Sequence, residues 1–116
     1  MWLSRTIPFS ERASMRIDII GRGIDITGAI REHAAEKASK LTRYFDHIQA
    51  ITLNCTRGDH SDHASFNVEL IIDLEHHKDM VCNAQGDDLY LAIDGVVQKG
   101  SRMLAEYKDK LKTEKR

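Results

Sequence analysis

Histidine and aspartate side chains occur in two short polar segments of the sequence, where they could bind a metal ion. The segment "DHSDHA" carries Asp59, His60, Asp62 and His63, and the segment "EHH" occupies residues 75–77. Imidazole and carboxylate groups are ligands for first-row transition metals. A metal-dependent hydrolase that uses the turn at residues 59–63 is therefore one hypothesis for this chain.

The two segments lie at opposite ends of one predicted strand, which argues against a shared metal site. Eight extended residues separate them by about 26 Å. Two histidines and two aspartates in one turn are a weak metal signal, and solvated hairpin residues are the better explanation. We predict no metal site and no cofactor.

Signatures of an enzyme active site are missing from the sequence. It has no glycine-rich phosphate loop, no nucleophile elbow and no Cys–His arrangement at a suitable spacing. Asp87 and Asp88 precede a predicted helix, where helix capping explains them. We therefore predict a protein that is not an enzyme.

Basic and acidic residues are segregated along the 116-residue chain, although its net charge is only -1. Residues 59–94 contain one basic and nine acidic residues, whereas residues 95–116 contain seven basic and three acidic ones. A neutral chain with a basic terminal segment indicates an anionic partner at one surface rather than a general attraction to nucleic acid.

Hydrophobic periodicity predicts four strands and two helices. The strands cover residues 16–20, 48–56, 64–72 and 79–84; the first helix follows Thr27 and continues to about Phe45, and the second begins at Asp87 or Asp88. This order predicts an α+β fold, a β-α-β-β-β-α sandwich with a four-stranded sheet and two helices packed on one face. We expect one domain at residues 15–112, a disordered or non-native extension at residues 1–14, and a flexible tail at residues 113–116.

Both predicted helices carry basic residues outside their apolar stripes. In the second helix, Lys99, Arg102, Glu106 and Lys110 share a face opposite the stripe. In the first helix, Lys37 and Lys40 flank the stripe, with Arg43 a little further round. We expect two adjacent basic ridges that bind phosphate groups. The outward strand positions offer no aromatic pair for base stacking, which argues against a single-strand RNA platform.

Cysteine usage and hydropathy favour a cytoplasmic protein. Cys55 and Cys82 both fall within alternating apolar runs, which is typical of buried thiols in a reducing compartment. No apolar stretch approaches the ~18 residues of a membrane-spanning helix, so we expect no membrane association.

Four stretches of the sequence resemble the ribosome hibernation promoting factor and ribosome-associated inhibitor family, also called the sigma-54 modulation protein family, in its short form. They are "GRGIDITGAIREH" at residues 21–33, "KLTRYFD" at 40–46, "NAQGDDLYLAID" at 83–94 and "YKDKLK" at 107–112. The resemblance extends over nearly the whole predicted domain, so that domain is expected to bind ribosomes.

The resemblance implies a cytoplasmic factor that inhibits translation. Such a protein occupies the mRNA–tRNA channel of the small ribosomal subunit, contacts 16S rRNA, and stabilises inactive 70S or paired 100S ribosomes under stress or in stationary phase. Its short form is expected to be a monomer off the ribosome. The rRNA-contacting bases of the family correspond here to Lys37, Lys40, Arg43, Lys99, Arg102, Lys108 and Lys110.

Two departures from the family pattern lower the expected affinity for RNA. Glu106 lies within the basic stripe, where the family usually has Lys or Arg, and the acidic middle segment makes the whole chain nearly neutral. Each lost phosphate contact reduces the slope of log binding constant against log salt concentration by about one unit. Pairing of Glu106 with Lys110, one helical turn away, offsets part of the repulsion.

An alternative function belongs to the interaction class. The acidic strand surface could bind a protein such as a transcription factor. Binding would then be insensitive to nuclease and to charge reversal on the helices.

Overall fold

The strands and helices follow one another in the predicted order. A computed structural model of the chain describes residues 16–43, 47–58 and 65–114. Its elements are β1 (Arg16–Arg22), α1 (Gly28–Ser39), a 3-10 helix (Lys40–Arg43), β2 (Ile48–Arg57), β3 (Phe66–Leu74), β4 (Met80–Gly86) and α2 (Leu89–Glu114). The predicted extension at residues 1–14, the turn at 59–63 and the predicted helix end at Phe45 lie outside the described residues.

The four strands form one sheet in the order β1-β2-β3-β4. β1 pairs with β2 in parallel, and the other two pairings are antiparallel. The register places Ile19, Leu53, Leu70 and Cys82 side by side across the sheet. Because side chains alternate between the two faces of a strand, this row and its neighbours make one face apolar.

Both helices pack on this apolar face, α1 against β1 and α2 against β3 and β4, and they also contact each other. The core contains ten fully buried large side chains, which are Leu41, Ile51, Leu53, Cys55, Val68, Leu70, Ile72, Ile93, Val96 and Leu104. The predicted α+β fold, with two helices on one face of a four-stranded sheet, is thereby confirmed.

The first helix is shorter than predicted. Thr27 caps its start as expected, because its hydroxyl accepts a hydrogen bond from the backbone N–H of Ile30 at 3.2 Å. The α-helix ends at Ser39, and residues 40–43 form a 3-10 helix. The hydroxyls of Ser39 and Thr42 donate to the carbonyls of Glu36 and Ser39. These local bonds favour a tighter last turn than a continuous α-helix has.

The second helix begins at Leu89, and Asp88 caps it. Asp88 Oδ1 accepts from the backbone N–H of Tyr90 at 3.0 Å. The helix extends to Glu114, past the predicted domain end at Lys112. Within the described part of the chain, neither helix has the length and apolar composition needed to span a membrane.

Close packing explains Gly100, which lies within the apolar stripe of α2. A Cβ atom at this position would lie 2.5 Å from Leu70 Cδ2, which is closer than carbon atoms approach one another. Leu70 is itself fully buried. Glycine therefore allows the backbone of α2 to pack directly on β3.

Candidate nucleic-acid interface

All seven predicted RNA-binding residues belong to the helical layer of the fold. Lys37 lies in α1, Lys40 and Arg43 lie in the 3-10 helix, and the remaining four lie in α2, namely Lys99, Arg102, Lys108 and Lys110. Lys37 is half-buried and the other six are exposed. The open face of the sheet contains none of them.

An acidic residue of α2 lies at the junction between the helices. Asp94 Oδ1 is 2.8 Å from His33 Nε2 and 3.9 Å from Lys37 Nζ, and both of these residues belong to α1. The ring of His33 also meets the ring of Tyr90 edge-on, with 4.9 Å between their centroids. Asp94 therefore links the two helices and partly neutralises Lys37.

Lys99 lies on the opposite flank of α2, away from the helix junction. Its ammonium group donates a hydrogen bond of 2.6 Å to the main-chain carbonyl of Asn83 in the edge strand β4. Residues 94 and 99 are separated by about 140° around the helix axis. This separation agrees with Asp94 contacting α1 while Lys99 contacts β4. The structure does not bring Lys99 and Lys37 together.

The other basic residues of α2 lie at different points around the helix. Lys110 and Glu106 line a cleft near Met80 at the start of β4. Lys108 lines a separate cleft beside His47, which precedes β2. Arg102 is exposed on the outer surface. The stripe residues Lys99, Arg102, Glu106 and Lys110 lie within about 80° around α2, so the predicted stripe shares one face and is interrupted by Glu106, whereas Lys108 lies on the other side of the helix.

The 3-10 helix places two bases beside the end of α1. Leu41 is fully buried within this short segment, while Lys40 and Arg43 on either side of it are exposed. Leu41 also approaches Gly100, since its Cδ1 would lie 3.9 Å from a Cβ at that position. One buried leucine thus holds Lys40 and Arg43 next to α2.

The open face of the sheet carries polar and charged side chains of both signs, together with the exposed apolar side chains of Ile20 and Val81. Arg16 forms an ion pair of 3.2 Å with Asp18, and Asn54 donates to Glu69 across two strands at 3.1 Å. The acids on this face are thus interspersed with Arg16 and Arg22. The described part of this face therefore carries both signs of charge, and the interaction hypothesis stays a prediction.

Both thiols face the core and are free. Burial raises the pKa of the Cys55 thiol, which has no exposed surface. Burial also raises the pKa of the half-buried Cys82 thiol, and the nearby charge of Lys99 partly opposes that rise. The Cys82 thiol donates to the carbonyl of Val96 at 3.7 Å. Lys99 therefore affects the pKa of the Cys82 thiol inside the protein, in addition to presenting its charge to solvent.

The described residues contain no group of three or more His, Cys, Asp or Glu side chains that could hold a metal ion. The His33–Asp94 contact was not anticipated from the sequence. Both residues lie on helix flanks, and only the parallel packing of α1 beside α2 makes these flanks face each other. The spacing in the sequence places each of these residues on a helix flank, but it does not show which flank faces the other helix.

Comparisons with known proteins show the family of the chain. The family model described as "Sigma 54 modulation protein / S30EA ribosomal protein" matches residues 17–112. The chain is 35% identical over 100 residues to the Ribosome hibernation promoting factor of Escherichia coli K12, with 84% of this chain and 98% of that protein covered.

Solved structures show the same fold. The N-terminal domain of Thermus thermophilus Protein Y matches with a TM-score of 0.67 at 25% identity, covering 78% of this chain and 94% of that one. A ribosomal subunit interface protein from Coxiella burnetii matches with a TM-score of 0.71 at 25% identity, covering 82% and 99%. Sequence and fold together place this chain in the Sigma 54 modulation protein / S30EA ribosomal protein family.

Proposed function

We propose that this chain is a ribosome hibernation factor that binds the small ribosomal subunit through 16S rRNA. The observation that carries the proposal is its 35% identity to a Ribosome hibernation promoting factor over 98% of that protein's length. The exposed bases of the helical layer supply the charge that such binding needs, because phosphate contacts dominate affinity for folded RNA.

In this proposal, Lys40, Arg43 and Arg102 are the bases most available for phosphate contacts, since they are exposed on the helical layer. Lys37 is oriented by Asp94, and Lys99 exchanges its hydrogen bond to Asn83 for a phosphate. Lys108 and Lys110 extend the contact surface along α2. The protein does not perform chemistry, and it inhibits translation by occupying the space of mRNA and tRNA.

The same proposal places the protein in the cytoplasm, on inactive 70S or paired 100S ribosomes in stationary phase, and as a monomer away from the ribosome. A sucrose-gradient profile of stationary-phase ribosomes, probed for this chain, tests this part. We expect the chain in 70S or 100S fractions, and its restriction to the top of the gradient would contradict the proposal.

Charge reversal tests the role of the helices directly. The triple variant Lys99→Glu, Arg102→Glu and Lys110→Glu is expected to lose co-sedimentation with 30S and 70S particles while its circular dichroism spectrum stays unchanged. A matched control makes the same change of charge elsewhere, with Arg16→Glu and Arg22→Glu on the open sheet face and Lys78→Glu in the β3–β4 turn. Unchanged binding of the first variant, or equal loss in both, would refute the placement.

A further inference from the structure

A cleft of about 530 Å³ lies where the last turns of α2 meet the β3–β4 turn and the start of β2. We call it the distal cleft. Its lining includes His47, Glu75, His76, Tyr107, Lys108 and Lys112. Among these residues, only Lys108 belongs to the predicted RNA-binding set.

Rings and apolar groups give the distal cleft a surface suited to a flat ligand. Tyr107 and Leu111 are half-buried and pack against the core from the α2 side. His76 is exposed and has a φ of 59°, a left-handed backbone conformation that is uncommon for residues other than glycine, although asparagine, aspartate and histidine adopt it more often than most. His77 supports the ring of Tyr107 edge-on, with 4.5 Å between centroids. Aromatic rings of this kind stack on unpaired nucleobases.

Charged groups of both signs line the same cleft. Lys108 and Lys112 are exposed and lie one helical turn apart. Glu75 belongs to the β3–β4 turn, where His47 Nδ1 is 3.0 Å from its carboxylate and its backbone N–H donates to the His47 carbonyl at 3.0 Å. The lysines suit phosphate groups, and a positioned carboxylate accepts hydrogen bonds from the amino groups of bases.

We propose that the distal cleft binds one unpaired nucleotide of a single-stranded RNA segment. The base stacks on the rings of His76 and Tyr107, the phosphates contact Lys108 and Lys112, and Glu75 accepts from the base edge. The two lysines oppose binding of a metal cation. The assignment of the ligand as RNA depends on the proposed function, whereas the cleft itself is separate from the surface tested by charge reversal of α2.

The test is a nuclear magnetic resonance titration of the isotopically labelled full chain with a single-stranded RNA tetranucleotide. We expect saturable shifts of the ring signals of His76 and Tyr107 and of the amides around Lys108. His76→Asn keeps a residue that tolerates the left-handed backbone and should weaken binding by at least about fivefold, since one stacked ring contributes that much. Lys108→Gln combined with Lys112→Gln should weaken binding and reduce its salt dependence.

The matched control is Lys78→Gln, which removes an exposed lysine from the same turn without lining the cleft, and it should leave the affinity unchanged. Inorganic phosphate alone and an RNA duplex should not reproduce the ring shifts. The inference is overturned if either does so, if no shift occurs at the cleft, or if Lys78→Gln weakens binding as much as His76→Asn.

Co-sedimentation of the same proteins with 30S particles separates this inference from the proposed function. Binding of the unmodified chain to 30S particles without any tetranucleotide shift at the cleft refutes only the nucleotide site. Tetranucleotide shifts without binding to 30S particles refute the proposed function and leave the nucleotide site supported.

Discussion

Asp94 connects the two helices whose basic residues we propose bind phosphate groups. Its carboxylate is unfavourable for a phosphate-binding surface, yet it contacts both His33 and Lys37 of the neighbouring helix. The carboxylate therefore holds both partners at the junction. In the proposed function, Asp94 positions α1 relative to α2 and does not contact the RNA.

Helix capping distinguishes the two aspartates that precede α2. The sequence predicted a start at either one, and the structure assigns the cap to Asp88, which accepts from the Tyr90 N–H. We expect Asp88→Ala to lower the free energy of unfolding by about 1 kcal/mol. Asp87→Ala is the matched control and should change it by less than half as much. Urea denaturation measures both, and equal effects would show that charge rather than capping matters.

The reactivity of Cys82 reports on Lys99. Burial raises the pKa of this thiol, and the Lys99 charge opposes the rise. Because only the thiolate is alkylated, the rate should increase with pH through that raised pKa. Lys99→Gln removes the opposing charge, so we expect the midpoint of the pH–rate profile to move to higher pH.

Mass spectrometry after iodoacetamide treatment separates Cys82 from Cys55. Cys55 has no exposed surface and should stay unmodified in the folded chain, which makes it an internal control. If Lys99→Gln changed only the access of iodoacetamide to Cys82, the maximal alkylation rate at high pH would change. The midpoint of the pH–rate profile would then stay where it is. A midpoint that falls in Lys99→Gln would contradict the described placement of Lys99.

At the scale of elements, the alternation of apolar residues was sufficient to predict the sheet. The inward residues Leu53, Leu70 and Cys82 were identified from their spacing and lie in one row. The end of α1 could not be predicted in the same way. Leu41 continues the helical spacing, but the hydroxyl bonds of Ser39 and Thr42 select a 3-10 turn that also buries this leucine.

Replacement of glycine by alanine is expected to have opposite effects on stability at two positions of α2. A Cβ at Gly100 would lie 2.5 Å from the buried Leu70, whereas one at Gly95 would lie 3.5 Å from Ala84 Cβ, an ordinary contact. Gly95→Ala should raise the free energy of unfolding by about 0.5–1 kcal/mol, because alanine favours the helix. Gly100→Ala should lower it by about 1 kcal/mol, because overpacking outweighs that gain. Stabilisation by both would show that α2 can move away from β3.

At the scale of the whole molecule, the distribution of basic residues could be predicted only in part. The sequence predicted which bases are exposed on α2, but periodicity around one helix does not reveal its neighbours. The flank with Asp94 faces α1, and the flank with Lys99 faces the edge strand β4. The distal cleft was also not predicted, because it combines residues from three separate parts of the chain.

Glu106 provides a test of the electrostatic part of the proposal. It lies beside Lys110 on the outer surface of α2. Glu106→Lys removes local repulsion and adds one base, so we expect ~3-fold tighter binding to 30S particles at physiological salt and a steeper dependence on salt. Asp79→Lys makes the same change in the β3–β4 turn and serves as the control. Weaker binding of Glu106→Lys would count against an RNA contact at this surface.

We propose that the helical layer, and not the open sheet face, contacts 16S rRNA. Site-specific photo-crosslinking tests this claim most directly, with one photoreactive residue placed at Ala105 on the exposed surface of α2. A second protein carries the same residue at Val81, which is 47% exposed on the open face of the sheet. We expect crosslinks to 16S rRNA from position 105 and none from position 81 after irradiation with 30S particles. Crosslinks from position 81 alone would contradict it.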